Sequence, residues 1–67
     1  MIDIKSLTKR EKRILELVCQ GFSNAEIGEK LFISSHTVKF HIVSILHKFN
    51  LKNRIAAAYF AGKNNLF

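Results

Sequence analysis

Metal binding and nucleophilic catalysis are the first chemistries to consider, because the sequence contains three histidines and one cysteine. His36, His41 and His47 are separated by five and six residues, which places successive imidazoles on different faces of a helix. A zinc site needs convergent ligands. No Ser–His pair has a supporting third residue, and no Gly-rich phosphate loop exists. We therefore expect no metal, no cofactor and no enzymatic activity, and we assign no catalytic residue.

Length and charge restrict the function further. The 67 residues are enough for one small domain, residues 1–67, in which residues 1–6 are a lead-in or the stump of a linker. The net charge is +6, and the whole excess lies in residues 30–67, which contain six Lys or Arg and no Asp or Glu. This uneven charge distribution favours a polyanionic partner, either nucleic acid or an anionic membrane surface. The alternative is a soluble basic domain whose charge has no binding role.

The sequence predicts a cytoplasmic location. The longest apolar run, residues 55–61, is far shorter than the ~20 residues that a membrane span needs, and no signal peptide is visible. The single Cys19 cannot form a disulfide within the chain, which fits a reducing compartment. We expect its thiol to be buried and inert, and we expect no membrane partner.

Residues 33–49 have the most unusual pattern in the chain. Small hydroxyl residues open this stretch, as suits a helix N-cap. One face has helical apolar spacing and consists of Val38, Ile42, Ile45, Leu46 and Phe49. The opposite face, at about 100° per residue, consists of His36, Phe40, Val43 and His47, with Lys39 and Ser44 at its flanks. A helix that exposes apolar side chains beside a lysine predicts insertion of this face into the major groove of DNA.

Two capped helices are predicted before this stretch and one after it. The capping boxes are Thr8 with Glu11 and Ser23 with Glu26, and they predict helices over residues 9–19 and 24–31. A turn of three or four residues then leads into the basic amphipathic helix, and two helices joined so closely make a helix-turn-helix. An Ala-rich fourth helix is predicted from residue 54 to 62 or 63. The predicted fold class is all-α, a four-helix bundle with the third helix as recognition helix.

Three residues in these helices have more than one interpretation. Glu11 serves as a cap alone or also forms a salt bridge to a basic residue elsewhere. Gly28 lies in the middle of a helix, where it costs about 1 kcal/mol relative to Ala, and close approach of another helix would explain it. His41 lies at the edge of the apolar stripe, where a hydrogen-bonded, partly buried histidine is expected.

The predicted base contacts are His36, Lys39, Phe40 and Val43, because the N-terminal part of a recognition helix contacts base edges. His36 can donate or accept a hydrogen bond, whereas Phe40 and Val43 make only apolar contacts, for example to a thymine methyl. A minor core or intersubunit position is the alternative for Phe40. His47, further along, is expected to meet the DNA backbone or solvent.

The predicted backbone contacts lie at helix starts and on basic side chains. They are Ser23, Asn24, Ser35, Thr37, Lys48 and Lys52. Ser23 and Asn24 are included because free N–H groups at a helix start can hold a phosphate. Plain solvated charge is the alternative for Lys48 and Lys52.

Small residues in the fourth helix predict an association surface. Arg54, Ala57, Ala58 and Ala61 follow i, i+3, i+4, i+7 spacing. This face suits either packing within the chain or a symmetric homodimer, and we predict the dimer because the first three helices already supply a core.

With these residues in place, the chain resembles the LuxR-type, or GerE-type, helix-turn-helix family from about residue 7 to residue 61. The resemblance rests on residues in register, namely Leu7-Thr8, Arg10-Glu11, Gly21, Ser23-Asn24, Glu26-Ile27, Leu31, Ile33-Ser34, Thr37-Val38-Lys39, His41, Arg54, Ala57 and Ala61. It implies a fourth helix used for dimerisation, DNA contacts at Lys39, Phe40 and Val43, and a backbone contact at Thr37. It also implies a transcription factor that binds paired half-sites near bacterial promoters.

The sequence therefore predicts a sequence-specific, double-stranded-DNA-binding transcriptional regulator that acts as a homodimer, with RNA polymerase as a further candidate partner. The chain is either the effector domain of a longer response regulator or quorum-sensing regulator, or a small stand-alone regulator. Two alternatives remain. One is a sigma-factor-like promoter-binding domain, and the other is an anti-activator that pairs with another regulator through the fourth helix.

Overall fold

The computed structural model describes residues 6–66, and four helices contain most of them. The helices are α1 (Lys9–Cys19), α2 (Asn24–Leu31), α3 (Ser35–Phe49) and α4 (Arg54–Lys63), and this part of the chain contains no strand. The predicted all-α, four-helix fold is confirmed. Of the predicted lead-in, residues 1–6, only Ser6 lies within the described residues.

Every helix begins at a polar side chain that accepts a hydrogen bond from the first turn. The N-cap residues are Thr8, Ser23, Ser34 and Asn53. In α1 the predicted capping box is complete, because Thr8 Oγ1 accepts from Glu11 N over 3.0 Å and Glu11 Oε1 accepts from Thr8 N over 2.9 Å. The box predicted for α2 is also present. Each start satisfies N–H groups that a bare helix end would leave unpaired.

One apolar core lies between the helices. Its most deeply buried side chains are Ile14, Leu15, Leu17, Ile27, Val38 and Ile45. α3 packs chiefly on α2 and α1, and α4 packs chiefly on α1. At the far end of α3, Phe49 contacts Phe60 of α4 with ring centroids 5.3 Å apart. α1 is therefore the common support that orients both α3 and α4.

The connection between α2 and α3 is unusually close. A Cβ at Gly28 would lie 2.5 Å from the carbonyl oxygen of Ile33 and 3.3 Å from the amide nitrogen of Ser35. The Ile33 amide in turn donates to the Gly28 carbonyl over 3.0 Å. The close approach expected at Gly28 exists, but it involves the turn and the first residue of α3 rather than the side of another helix. This contact sets the position of α3 on α2.

Cys19 corrects one expectation, because it is exposed at the end of α1 rather than buried. Its neighbour Val18 faces the core, and one step of about 100° along the helix turns the thiol outward. Burial of part of the side chain and the nearby Glu16 carboxylate raise the pKa of this thiol. No helix within residues 6–66 is long and apolar enough to cross a bilayer.

Candidate nucleic-acid interface

The outward side of α3 brings together the four side chains predicted to contact bases. One concavity with a volume of about 260 Å³ is lined by His36, Lys39, Phe40 and Val43. Phe40 is 65% exposed and Val43 53% exposed, although both are large apolar side chains. The edge of one ring of the pair His36 and Phe40 meets the face of the other, with centroids 4.9 Å apart and planes at 82°. The four side chains thus form one continuous, mainly apolar surface, whereas helical spacing in the sequence predicted only that they share a face.

The charge around this concavity is positive. Lys39 lies within it, and α3 contains no Asp or Glu. Indeed no carboxylate side chain occurs after Glu29 in the sequence. An apolar surface with a positive rim complements DNA, whose major groove combines thymine methyl groups with flanking phosphates.

Hydroxyl groups surround the N-terminal end of α3. Ser34 Oγ accepts from Thr37 N over 3.0 Å and donates to Thr37 Oγ1 over 2.9 Å. Ser35 and Thr37 are both exposed beside the helix start. The cap therefore holds the Thr37 hydroxyl in a fixed position at the positive end of the helix dipole, where an anion is favoured.

The start of α2 is occupied by partners within the chain. Glu26 Oε1 accepts from Ser23 N over 2.9 Å, so a carboxylate takes the amide that was expected to be free for phosphate. The Asn24 side-chain oxygen accepts a hydrogen bond from the Arg54 guanidinium. The prediction of free N–H groups at this end is therefore wrong for Ser23. Asn24 stands beside a guanidinium that anchors α4 to this corner.

Lys48 has a role that neither of its two interpretations described. Its ammonium donates to Glu11 Oε1 over 2.6 Å and to the Ser6 carbonyl over 2.8 Å. One turn earlier on α3, Ser44 Oγ donates to Glu11 Oε2 over 2.7 Å. Lys48 is thus paired within the chain instead of extending as a phosphate contact or a solvated charge. Lys52 is exposed in the connection between α3 and α4.

Glu11 is the centre of this polar cluster and is only 4% exposed. Burial alone would raise the pKa of its carboxyl, but hydrogen bonds from Lys48, Thr8 and Ser44 outweigh burial and lower the pKa to about 2. Glu11 therefore stays ionised, caps α1 and binds two side chains of α3 at once. Of its two interpretations, the cap combined with a salt bridge is confirmed.

The face of α4 predicted to form a dimer is used mostly inside the chain, which corrects that prediction. Ala57 and Ala61 are each 2% exposed and belong to the core. Arg54 donates to the Phe22 carbonyl over 2.9 Å as well as to Asn24. Small side chains let α4 approach α1 closely, so the spacing that suggested a second chain instead reflects packing on α1. Ala58 is half-buried at the edge of this contact.

The exposed face of α4 contains two large side chains that the sequence analysis missed. Ile55 is 77% exposed and Tyr59 is 70% exposed. They are four residues apart, which places them on one side of the helix. Because Ala57 and Ala61 face the core, helical periodicity places Ile55 and Tyr59 on the outward side of α4. We call these two exposed side chains the outer stripe of α4.

The three histidines of α3 lie in different surroundings. Within residues 6–66, no three His, Cys, Asp or Glu side chains converge to hold a metal ion. His41 is half-buried, as expected, whereas the hydrogen bond expected for its imidazole stays a prediction. His47 is exposed on the last turns of α3.

Four helices with a tight turn between the second and third, and a basic, exposed third helix, define a helix-turn-helix DNA-binding domain. Residues 5–61 match the family described as "Bacterial regulatory proteins, luxR family". The chain belongs to this family, which identifies it as a DNA-binding regulatory domain rather than an enzyme.

Similar proteins include three response or regulatory proteins of bacteria. "Transcriptional regulatory protein LiaR" of Bacillus subtilis is 52% identical over 62 residues, covering 92% of this chain and 29% of that protein. "Nitrate/nitrite response regulator protein NarL" of Escherichia coli is 40% identical over 65 residues, covering 97% and 30%. "Oxygen regulatory protein NreC" of Staphylococcus carnosus is 45% identical over 60 residues, covering 90% and 28%. The chain thus spans less than a third of the length of these relatives.

Proposed function

We propose that the chain binds double-stranded DNA sequence-specifically, with α3 in the major groove, as a homodimeric bacterial transcriptional regulator. One observation carries the proposal. The concavity formed by His36, Lys39, Phe40 and Val43 lies mainly on the N-terminal half of α3, on the side opposite the core. That half is the part of a recognition helix that contacts base edges.

The proposed contacts divide by chemistry. His36 and Lys39 hydrogen-bond to base edges, whereas Phe40 and Val43 make apolar contacts. Ser35, Thr37 and Lys52 contact phosphates, and Asn24 contributes from the start of α2. The ammonium of Lys48 binds Glu11 of α1. Lys48 therefore affects DNA affinity indirectly, because this contact helps to hold α3 in position.

The proposed dimer uses the outer stripe of α4. Ile55 and Tyr59 supply exposed apolar area, and the half-buried Ala58 lies between them in sequence. Two-fold pairing of this stripe would present two copies of α3 to half-sites about one helical turn apart, ~34 Å. Arg54, Ala57 and Ala61 support this surface from inside the chain.

The proposed place of the chain is the DNA-binding effector part of a regulator controlled through other segments, as in a two-component response regulator. The relatives support this role, because their names describe transcriptional and response regulators. The proposal includes action in the cytoplasm on chromosomal DNA and contact with RNA polymerase at promoters.

Selection of bound duplexes from a random library tests the proposal directly. We expect a preferred sequence with two-fold symmetry, and affinity that falls steeply with salt because phosphate contacts release counterions. Lys39→Ala should weaken binding and lower the salt slope by about one if Lys39 contacts a phosphate, or relax base preference if it contacts a base. Lys12→Ala on exposed α1 is the matched control. Binding without any sequence preference or salt dependence would contradict the proposal.

A second variant separates DNA binding from protein pairing. Tyr59→Asp introduces a charge into the outer stripe of α4 and should abolish the dimer, measured by sedimentation, while leaving the monomer folded. We expect weaker binding to paired half-sites with little change at a single half-site. Loss of function in Tyr59→Asp together with full function in Lys39→Ala would favour the anti-activator alternative.

A further inference from the structure

We infer that Arg54 is a positioning residue that sets which spacing between two DNA half-sites the dimer accepts. Its guanidinium fixes the direction of α4 relative to α2 and α3, and therefore the distance between the two copies of α3. This inference rests on the proposed function, because it concerns the homodimer that pairs through the outer stripe of α4. It requires no contact between Arg54 and DNA.

The guanidinium of Arg54 joins α4 to the corner where α2 begins. One terminal nitrogen donates to the Phe22 carbonyl over 2.9 Å, and the other donates to the side-chain oxygen of Asn24. Within residues 6–66, these are the only hydrogen bonds from α4 to another helix or to the turn between α1 and α2. A guanidinium is planar and presents its donors in a fixed fork. Two acceptors on one corner therefore hold the start of α4 in one orientation.

The stability of α4 alone does not explain an arginine at this position. Arg54 is the first residue of α4, and the first turn of this helix contains no acidic residue. A cation at a helix N-terminus interacts unfavourably with the helix dipole. The side chain is also half-buried, so its charge loses part of its hydration. The contacts with the α2 corner offset these costs, which indicates that Arg54 serves the connection between the two elements.

The core contacts of α4 fix its direction less firmly. The helix packs on α1 through Ala57 and Ala61, which are each 2% exposed. The angle between packed helices is set by ridges of side chains that fit into facing grooves. Single-carbon side chains form low ridges, so they permit close approach without fixing the angle. Phe60 holds the C-terminal half of α4 against Phe49, with ring centroids 5.3 Å apart. Without Arg54, the N-terminal end of α4 can turn about this aromatic contact.

A small rotation of α4 has a large effect at the DNA. Arg54 and Phe60 are six residues apart, about 9 Å along a helix, so a displacement of about 1 Å at Arg54 turns α4 by about 6°. Each copy of α3 lies about 17 Å from the two-fold axis when the half-sites are one helical turn apart, so this rotation moves it by about 2 Å. The two copies together move by about 4 Å, close to the ~3.4 Å rise of one base pair. Loss of the Arg54 contacts therefore changes the accepted spacing by about one base pair.

The experiment measures binding to paired half-sites whose spacing changes by single base pairs. The half-site is that of the selected duplex, and each inserted base pair adds about 3.4 Å and turns the second half-site by about 35°. For wild type we expect affinity to fall by about a hundredfold two base pairs away from the best spacing, because avidity is lost when both half-sites cannot be engaged. For Arg54→Gln we expect the same change of spacing to cost less than about tenfold.

The ratio of affinities between spacings distinguishes a positioning role from a general effect on stability. A variant that is only less stable binds every duplex less tightly and leaves this ratio unchanged. Arg13→Gln is the matched control, since it removes an exposed arginine that pairs with Glu16 within α1, and it should keep the wild-type ratio. Circular dichroism and sedimentation confirm that each variant is folded and dimeric.

A second substitution decides the question if Arg54→Gln does not fold. Arg54→Lys keeps the positive charge but replaces the fixed fork with a single ammonium on a flexible stem. We expect it to broaden the accepted spacing in the same direction as Arg54→Gln.

The outcomes separate this inference from the proposed function. If wild type shows no preferred spacing, the proposed homodimer fails and the inference fails with it. If wild type prefers one spacing and the folded Arg54 variants keep the same preference, the proposed function stands and the positioning role is overturned. Weaker binding of Arg54→Gln at every spacing, with the wild-type ratio retained, would also overturn it, because Arg54 would then act on stability or on the single half-site.

Discussion

The two sides of α3 differ in almost every physical property. The inward side buries Val38 and Ile45 completely, or nearly so, and binds Glu11 through Ser44 and Lys48. The outward side presents a concavity of exposed side chains on the opposite face of the same helix. α4 repeats the contrast, with Ala57 inside and Tyr59 outside. The residues that orient α3 are therefore separate from the residues proposed to contact DNA, so mutations should separate stability from DNA binding.

The largest effect is expected from the core of the inward side. Ile45→Ala leaves a cavity at a side chain that is 1% exposed, and such truncations cost about 2–5 kcal/mol. A domain of this size has only about 3–10 kcal/mol of total stability, so much of the fold is lost. Urea unfolding measures the change. Val43→Ala, two residues away on the outward side, is the control and should leave the unfolding free energy nearly unchanged.

The next effect concerns the polar cluster that joins α3 to α1. Glu11→Gln keeps the cap, because an amide oxygen still accepts from Thr8, but removes the charge that binds Lys48. We expect a loss of about 2 kcal/mol at pH 7, below the usual cost of breaking a buried pair because Lys48 is partly exposed. Glu26→Gln is the matched control in the exposed capping box of α2 and should be nearly neutral. Equal losses of unfolding free energy in the two variants would show that the ion pair with Lys48 adds nothing to stability.

The ionisation of Glu11 predicts a pH dependence with a definite sign. Its pKa is lowered from the ordinary value of 4.5 to about 2 in the fold, so between these values the unfolded chain binds more protons. The stabilisation is therefore complete above about pH 5 and is lost as pH falls towards 2. We expect the difference in unfolding free energy between wild type and Glu11→Gln to shrink by about 2 kcal/mol from pH 7 to pH 2. A difference that is constant with pH would contradict the assignment.

Local patterns made much of this arrangement predictable. The capping boxes at Thr8 and Ser23 place the first two helices because a cap acts within three residues. The spacing of His36, Phe40 and Val43 places them on one helical face for the same local reason. The fold class and the composition of the outward concavity follow from the sequence in this way.

Contacts between distant residues were not predictable in the same way. Glu11 and Lys48 are 37 positions apart, and nothing in either local pattern indicates that α1 and α3 bring them together. Ala57 and Ala61 have small side chains that suit close packing against any helix, so their spacing cannot distinguish α1 from a second chain. The packing of α4 on α1 decides which partner these alanines contact, and that packing depends on the whole fold.

The smallest effect concerns Phe32, an outward side chain that is not part of the concavity. It ends α2 in the left-handed conformation, with φ 59° and ψ 43°, and is 93% exposed. A residue with a Cβ pays about 1–2 kcal/mol for this conformation, whereas glycine adopts it freely but gains entropy in the unfolded chain.

We therefore expect Phe32→Gly to raise the unfolding free energy by about 0.5–1 kcal/mol, measured by urea denaturation. Asn50→Gly is the matched control, because Asn50 ends α3 with φ 53° and asparagine already tolerates that region, so its gain should be smaller. DNA affinity decides what Phe32 does. If Phe32→Gly is more stable and binds the selected duplex as tightly as wild type, the recognising surface ends at the concavity. If it is more stable but binds less tightly, the outward surface extends from α3 across the turn, and the strain at Phe32 is retained for DNA contact.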